Sequence, residues 1–153
     1  MKNNVTEMFD IDMPIFAFSH CRDVVAAVSK AGGFGVLGAV GHSPRSLEID
    51  LQWIEDEVGD KPYGIDLIVP AKYAGSDEGG MRVGAIQDMI PQEHRDFLDE
   101  MLDRNGVPAL DEDEDGRGQF ATGDDAAAPM SADSQTPNLE IALAYKPSLV
   151  VNA

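Results

Sequence analysis

Cysteine is nearly missing from this chain: Cys21 stands alone among 153 residues. A single thiol excludes an internal disulfide and fits a reducing compartment, so a cytoplasmic location is expected. Basic residues are scarce too. Eleven Lys and Arg face 28 Asp and Glu, for a formal net charge of −17. That balance argues against recognition of nucleic-acid phosphates and against docking on an anionic membrane surface. It describes a solvated, self-repelling exterior. Long apolar runs are absent: no stretch approaches the ~18 residues of a membrane-spanning helix. The opening Met1-Lys2-Asn3-Asn4-Val5 also lacks the apolar segment of a signal peptide. No phosphate-loop Lys-Ser/Thr, zinc-ligand spacing or G-x-S-x-G elbow occurs, so no metal site is expected. Length is limiting in one respect. The chain can form one domain with a real core, and 43% of it is apolar. It is still well short of the ~250 residues of a complete (β/α)8 barrel.

What is present begins with Pro14-Ile15-Phe16-Ala17-Phe18-Ser19. Ile15 to Phe18 is a short apolar run, as a strand buried on both faces requires, and Pro14 sits where its missing N–H costs no ladder bond. Asp23 to Ala31 carries Val24, Val25, Val28 and Ala31 on one helical stripe. Gly32 and Gly33 end that helix, because glycine accepts the left-handed conformation after a C-cap. Val36 to Val40 reads as a second buried strand. Ser43 as N-cap and Pro44 at the first helical position open a helix with Leu47, Leu51, Ile54 and Val58 on one face. Gly59 closes it, and Tyr63 to Pro70 supplies a third strand. Strands and helices in strict alternation point to a parallel α/β sheet or barrel.

The rhythm then changes. Residues 71–84 are rich in glycine and charge and read as loop. A helix is expected over about Ile86 to Arg104, with Ile86, Ile90, Phe97 and Met101 as its stripe; Pro91 divides it or restarts it. Residues 111–135 carry eight acidic residues against one basic, Arg117, and their large apolar residues are Phe120 and Met130. Such a composition offsets little ordering entropy, which favours a disordered acidic loop over a functional lid. Thr136 as N-cap with Pro137 behind it opens a further helix to about Tyr145, and Ser148 to Ala153 is a fourth strand. The expected architecture is therefore a (β/α)8 TIM-barrel type, cut to about its first four βα units, with a long acidic insert.

Three motifs bear on chemistry. Gly33-Phe34-Gly35-Val36-Leu37-Gly38 matches the dinucleotide pattern G-x-G-x-x-G. Its glycines follow a helix and precede a strand, the reverse of the order that seats a pyrophosphate on a helix N-terminus. They read as a helix stop and tight packing. Asp66 lies in the third strand among Gly64, Ile65, Leu67 and Ile68, and a carboxylate there needs a partner or a ligand. Alternation places Gly64 and Asp66 on one face, so Gly64 would let a planar ligand approach beside Asp66. Ser19-His20-Cys21-Arg22 occupies the turn after the first strand, the end where barrel chemistry occurs. It reads as loop and helix cap rather than as a metal or Cys–His site, with Ser19 available as the cap.

Together these residues resemble the opening of the nitronate monooxygenases. Pro14 to Ser19 and Val24 to Gly38 carry the likeness first. Lys61-Pro62-Tyr63-Gly64-Ile65-Asp66-Leu67 is similar to the third-strand signature of that family, and Asn138 to Ala153 to its next helix and strand. The resemblance implies an FMN-dependent TIM barrel that oxidises alkyl nitronates with O₂. It places the backbone of Ala17, Phe18 and Ser19 against the flavin, and Asp66 where the family commonly has Asn. The family's catalytic histidine and phosphate-binding loops belong to later strands, so the resemblance assigns no catalytic residue here. Residues 1–153 would then be the N-terminal half of a flavin-binding barrel, inactive by itself and open at two sheet edges. Pairing as a homo-oligomer is one way to cover those edges. Two other readings stay open: a flavin-dependent NAD(P)H:quinone or enoyl reductase of the same barrel group, and a non-enzymatic module whose acidic segment binds a basic partner.

Overall fold

The computed structural model describes residues 2–69, 81–108 and 131–152. Helix α1 (Asn4–Phe9) precedes strand β1 (Phe16–Ser19), helix α2 (Arg22–Lys30), strand β2 (Phe34–Gly38), helix α3 (Pro44–Val58) and strand β3 (Tyr63–Leu67). Helices α4 (Val83–Asp88), α5 (Gln92–Arg104) and α6 (Ala132–Ala144) then lead to strand β4 (Leu149–Asn152). The four strands form one parallel sheet in the order β1-β2-β3-β4. Each strand lies beside its predecessor, as in the wall of an α/β barrel. A doubly wound sheet would instead reverse its order at a switch point. The α/β expectation is met, and the sheet is compatible with part of a (β/α)8 barrel.

The parallel register sorts the side chains into two faces. Phe16 pairs with Phe34, Val36 with Gly64, Gly38 with Asp66, and Asp66 with Val151. Alternation puts these residues on one face, and Leu37, Tyr63, Ile65, Leu67 and Val150 on the other. The second face carries the main core, in which Leu37, Ile65 and Leu67 pack with Val25 and Ala26 of α2, Leu47, Leu51 and Ile54 of α3, and Ala142 of α6. Among the described residues, α1 and the turn after it are what covers the first face. Phe9 stands edge-on to Phe16 and Phe34 at 5.1 and 5.0 Å, and Ile11 packs with Phe34 and Val36. That cover lies over the N-terminal half of the strands, and among the described residues their C-terminal ends are open.

Helix α3 forms as its sequence directs. Ser43 Oγ accepts from the Ser46 N–H, Pro44 occupies the first turn, and Leu47, Leu51, Ile54 and Val58 are buried. Helix α2 is rotated from the expected stripe: it buries Val25, Ala26 and Ser29 and leaves Val24 exposed. The cause is Gly35. A Cβ there would overlap the Val25 carbonyl oxygen, so the missing side chain lets the helix backbone press onto β2. Ser29 Oγ then accepts from the Gly35 N–H at 3.2 Å. Gly32, at φ +89°, supplies the left-handed residue that ends the helix.

Four expectations need correcting. Strand β1 is not buried on both faces: Ile15 is 54% exposed, Phe16 42% and Phe18 55%, because β1 is an edge strand with an open face. Strand β2 runs Phe34–Gly38, two residues ahead of the expected span. The stripe of Ile86, Ile90, Phe97 and Met101 is exposed on two helices, with Pro91 the N-cap of the second. Helix α6 starts at Ala132, not at Pro137. Ser131 and Ser134 form a reciprocal capping box one turn earlier, and Pro137 lies inside the helix. Residues 131–135 of the expected acidic loop are thus cap and helix, while 111–130 lie outside the described residues, as do 70–80 of the glycine-rich stretch.

Candidate functional site

The open, C-terminal end of the first face gathers one transverse row of residues. Gly38 and Asp66 are register partners, as are Asp66 and Val151. Extending the β1–β2 register by one residue sets His20 opposite Gly38, and the contact is made: His20 Nδ1 lies 2.9 Å from the Gly38 carbonyl oxygen. A carbonyl only accepts, so Nδ1 is the protonated nitrogen in this contact. Phe18, one layer below, stands edge-on to the imidazole with centroids 5.0 Å apart.

Glycine at position 38 is a condition of this arrangement. A Cβ there would overlap Phe18 Cζ and lie 2.7 Å from His20 Nδ1. The two rings occupy the space a side chain would take. Gly64 behaves likewise: its vacant position is filled by the Phe34 ring, with Cε1 2.8 Å from where a Cβ would stand. The expected approach of a ligand over Gly64 is therefore blocked by the core, and the free surface lies one layer higher, at Asp66.

Asp66 is the group in this row that lacks a complement. Its Oδ1 is buried and has no hydrogen-bond partner among the described residues. Burial raises its pKa above the ordinary carboxylate value, and the charge of His20 partly opposes that rise. An unpaired, poorly solvated carboxylate oxygen costs free energy until a donor reaches it.

The structure brings Phe18 and Asp66 to the same face, two strands apart. Ala17 and Ser19 alternate to the helix side, so only their backbone can border the open end. Ser19 does not cap α2; its Oγ accepts from the Cys21 N–H at 3.0 Å, and Cys21 is the N-cap but makes no side-chain capping bond. His20 is the site residue that the sequence reading assigned to loop and helix cap. Its signal was positional: it stands one residue beyond a strand, opposite a glycine.

A second polar cluster fixes the loop that follows β2. Gln135 Nε2 donates to the Val40 carbonyl at 3.1 Å, and Asn138 Nδ2 to the His42 carbonyl at 2.9 Å. Both carboxamides are buried. His42 Nε2 lies 3.0 Å from Asp50 Oδ2, and Arg22 Nη1 2.8 Å from Asp50 Oδ1. Burial alone would raise the pKa of Asp50, but the hydrogen bond and charge of His42, then those of Arg22, lower it overall. Arg22 also stacks over Trp53, 4.8 Å from the ring centroid. The concave surface lined by Thr6, Asp10, Asp60 and Lys61 lies at the N-terminal ends of the strands, away from the row. No group of three metal-binding side chains occurs among the described residues. No helix among them is long and apolar enough to cross a membrane.

Fold and site together define a parallel α/β chain with barrel-type strand order and an open, polar-edged apolar face at the strand C-termini. Comparison with known proteins gives that class its relatives. The chain is 45% identical, over all of its 153 residues, to the Mycobacterium tuberculosis protein named "Putative monooxygenase Rv1533", of which it spans 39%. It is 35% identical over 75 residues to a "Probable nitronate monooxygenase" of Staphylococcus saprophyticus, and 31% over 80 residues to one of Staphylococcus haemolyticus. Those matches cover 46% and 50% of this chain, and 21% and 22% of the relatives. The resemblance to the nitronate monooxygenase family read from the sequence is thereby shown, for a chain that spans well under half the length of these relatives. No protein-family profile matches the chain, and no solved structure does.

Proposed function

We propose that the chain contributes the first wall of an FMN-dependent oxidoreductase of the nitronate monooxygenase kind, acting on a small nitronate with O₂. The observation that carries this reading is Asp66 Oδ1, a buried carboxylate oxygen with no hydrogen-bond partner among the described residues, at the end of the sheet face that α1 leaves uncovered. A flavin ring suits it. The isoalloxazine presents an imide N–H to an acceptor and a flat apolar body to a surface such as exposed Phe18. Phe18 and Asp66 would border the ring, with the backbone at Ala17 and Ser19 beside it. When bound, FMN supplies the one-electron chemistry with O₂ that nitronate oxidation needs. The protein's own part here is to accept the ring N–H at Asp66 and keep water from the ring with Phe18. A flavoprotein of the same kind that took electrons from NAD(P)H would use the same wall, and rapid nicotinamide oxidation without nitronate would identify it.

The test is FMN titration followed by quenching of flavin fluorescence, on the wild-type chain and on Asp66→Ala. Saturable binding that weakens about tenfold in the variant is expected, the worth of one charge-assisted hydrogen bond. Absence of binding, or equal binding by both proteins, overturns the reading.

A further inference from the structure

Where α6 meets the loop after β2, three polar atoms are buried without a hydrogen-bond partner among the described residues: Gln135 Oε1, Asn138 Oδ1 and His42 Nδ1. Their residues are 1%, 0% and 7% exposed. Chemistry fixes which amide atoms these are. A main-chain carbonyl only accepts, so the amide nitrogens must face Val40 and His42, and the oxygens turn elsewhere. Gln135 and Asn138 stand three residues apart on α6, so their side chains leave one face of the helix about 5–6 Å apart. The carbonyls they hold lie two residues apart in one loop. Nδ1 is the ring nitrogen nearer the main chain of His42, the same main chain that Asn138 holds. The three atoms therefore gather at one junction. We propose that Gln135, Asn138 and His42 form an internal binding site for a single water molecule, which donates to both carboxamide oxygens and ties α6 to the loop after β2. The site does not depend on the flavin reading.

The atoms themselves select this occupant. Two amide oxygens need donors, and a water has two hydrogens to give. Its lone pairs serve His42 Nδ1 when that nitrogen carries a proton, which makes about three hydrogen bonds, the usual number for an internal water. A cation suits the junction less. Amide oxygens bring no charge, and the oxygens of Asp50 are engaged, by Arg22 at 2.8 Å and by His42 at 3.0 Å. An apolar filling would leave the buried acceptors unpaired. Nearby main-chain donors already have partners: the His42 N–H is on the Ala39 carbonyl at 3.0 Å, the Ser46 N–H on Ser43 Oγ at 3.2 Å, and the Gln135 N–H on the Ser131 carbonyl at 3.0 Å. The junction also continues toward the strand ends. The Ala39 N–H donates to the Asp66 carbonyl at 2.9 Å, so the water completes a hydrogen-bonded path from α6 through the loop to β3.

Two readouts test this. The first is a high-resolution crystal structure of the wild-type chain. One peak of density about 2.8 Å from both Gln135 Oε1 and Asn138 Oδ1 is expected. An empty junction, a protein donor seated on these oxygens, or a peak ringed by oxygen ligands at cation distances overturns the proposal. The second is a solution count of long-lived internal waters by magnetic relaxation dispersion of the water nuclei. Gln135→Met keeps the reach of the side chain and removes its amide, and it should lower that count by one. An unchanged count in the folded variant overturns the proposal. If Gln135→Met does not fold, the wild-type density still decides.

Discussion

The same substitution at two glycines of one strand should have opposite outcomes. Gly35 and Gly38 both lie in β2, three residues apart and on opposite faces, and neither has a backbone conformation that excludes alanine. At Gly35 the new methyl would overlap the Val25 carbonyl oxygen and stand 2.9 Å from Val25 Cα, all main-chain atoms of a helix packed into the core. Helix backbone cannot swing aside, so α2 must lift off the sheet and loosen its contacts with Leu37 and α3. Overpacking of this kind costs about 3 kcal/mol. At Gly38 the obstacles are Phe18 Cζ and the His20 ring, both exposed side chains that can turn outward. The cost there is about 1 kcal/mol, much of it offset by the ~0.4–1 kcal/mol that alanine gains over glycine by restricting the unfolded chain. Urea unfolding separates the two. With a slope of about 1.5 kcal/mol/M, Gly35→Ala should lower the midpoint by about 2 M and Gly38→Ala by well under 1 M. Flavin binding should show the converse selectivity, with Gly38→Ala folded but weakened, because the new methyl turns Phe18 away from the face proposed to border the ring. Equal midpoints for the two variants, or a tolerated Gly35→Ala, would refute the assignment of the two faces.

Two further outcomes follow from the polar cluster behind β2. Asn138→Ala removes the buried donor to the His42 carbonyl and should cost about 2–3 kcal/mol in thermal unfolding; Gln135→Ala, acting on the same loop, should then add less than its own single cost. Asp50→Asn should destabilise by about 1–2 kcal/mol at neutral pH, since Arg22 and His42 lose their shared partner. The folded-state pKa of Asp50 is lowered, so its contribution is present above the ordinary carboxylate value and lost as pH falls through the lowered one. The gap between wild type and Asp50→Asn should close in acid. A gap that widened instead would put the stabilising charge elsewhere.

Much of the fold could be read because it rests on local rules. The apolar steps of Leu47, Leu51, Ile54 and Val58, and the Ser43–Pro44 start, depend on residues within one turn of each other, and the structure follows them. The reversed glycine motif was also legible, since a phosphate cradle needs a strand before the glycines and here a helix precedes them. What failed depended on distant partners. The rotation of α2 is set by Gly35, and the exposure of β1 by its place at a sheet edge, neither visible in the periodicity of the segments themselves. Pro137 suggested a helix start because proline favours the first turn, yet the Ser131–Ser134 capping box prevailed, with Gln135 and Asn138 anchoring that turn to the β2 loop. Asp66 stood out as a carboxylate in an apolar strand. His20 did not, because its significance comes from Gly38, 18 residues away, and from the register that joins them.

Strand order that repeats chain order also shapes how the sheet can be assembled. Each strand needs only the one synthesised before it, so growth proceeds along a single edge and never requires the sheet to part for an insertion. The steps are not equal. Twenty-four residues separate β2 from β3, whereas 81 separate β3 from β4. Closing the longer connection costs only about 1 kcal/mol more, because loop entropy rises with the logarithm of length. The delay is in search time: β4 is expected to dock last, on an edge that the first three strands have already laid down. A burst of protection in β1–β3 followed by a slower phase in β4, seen by pulsed hydrogen exchange, would be the trace of that order.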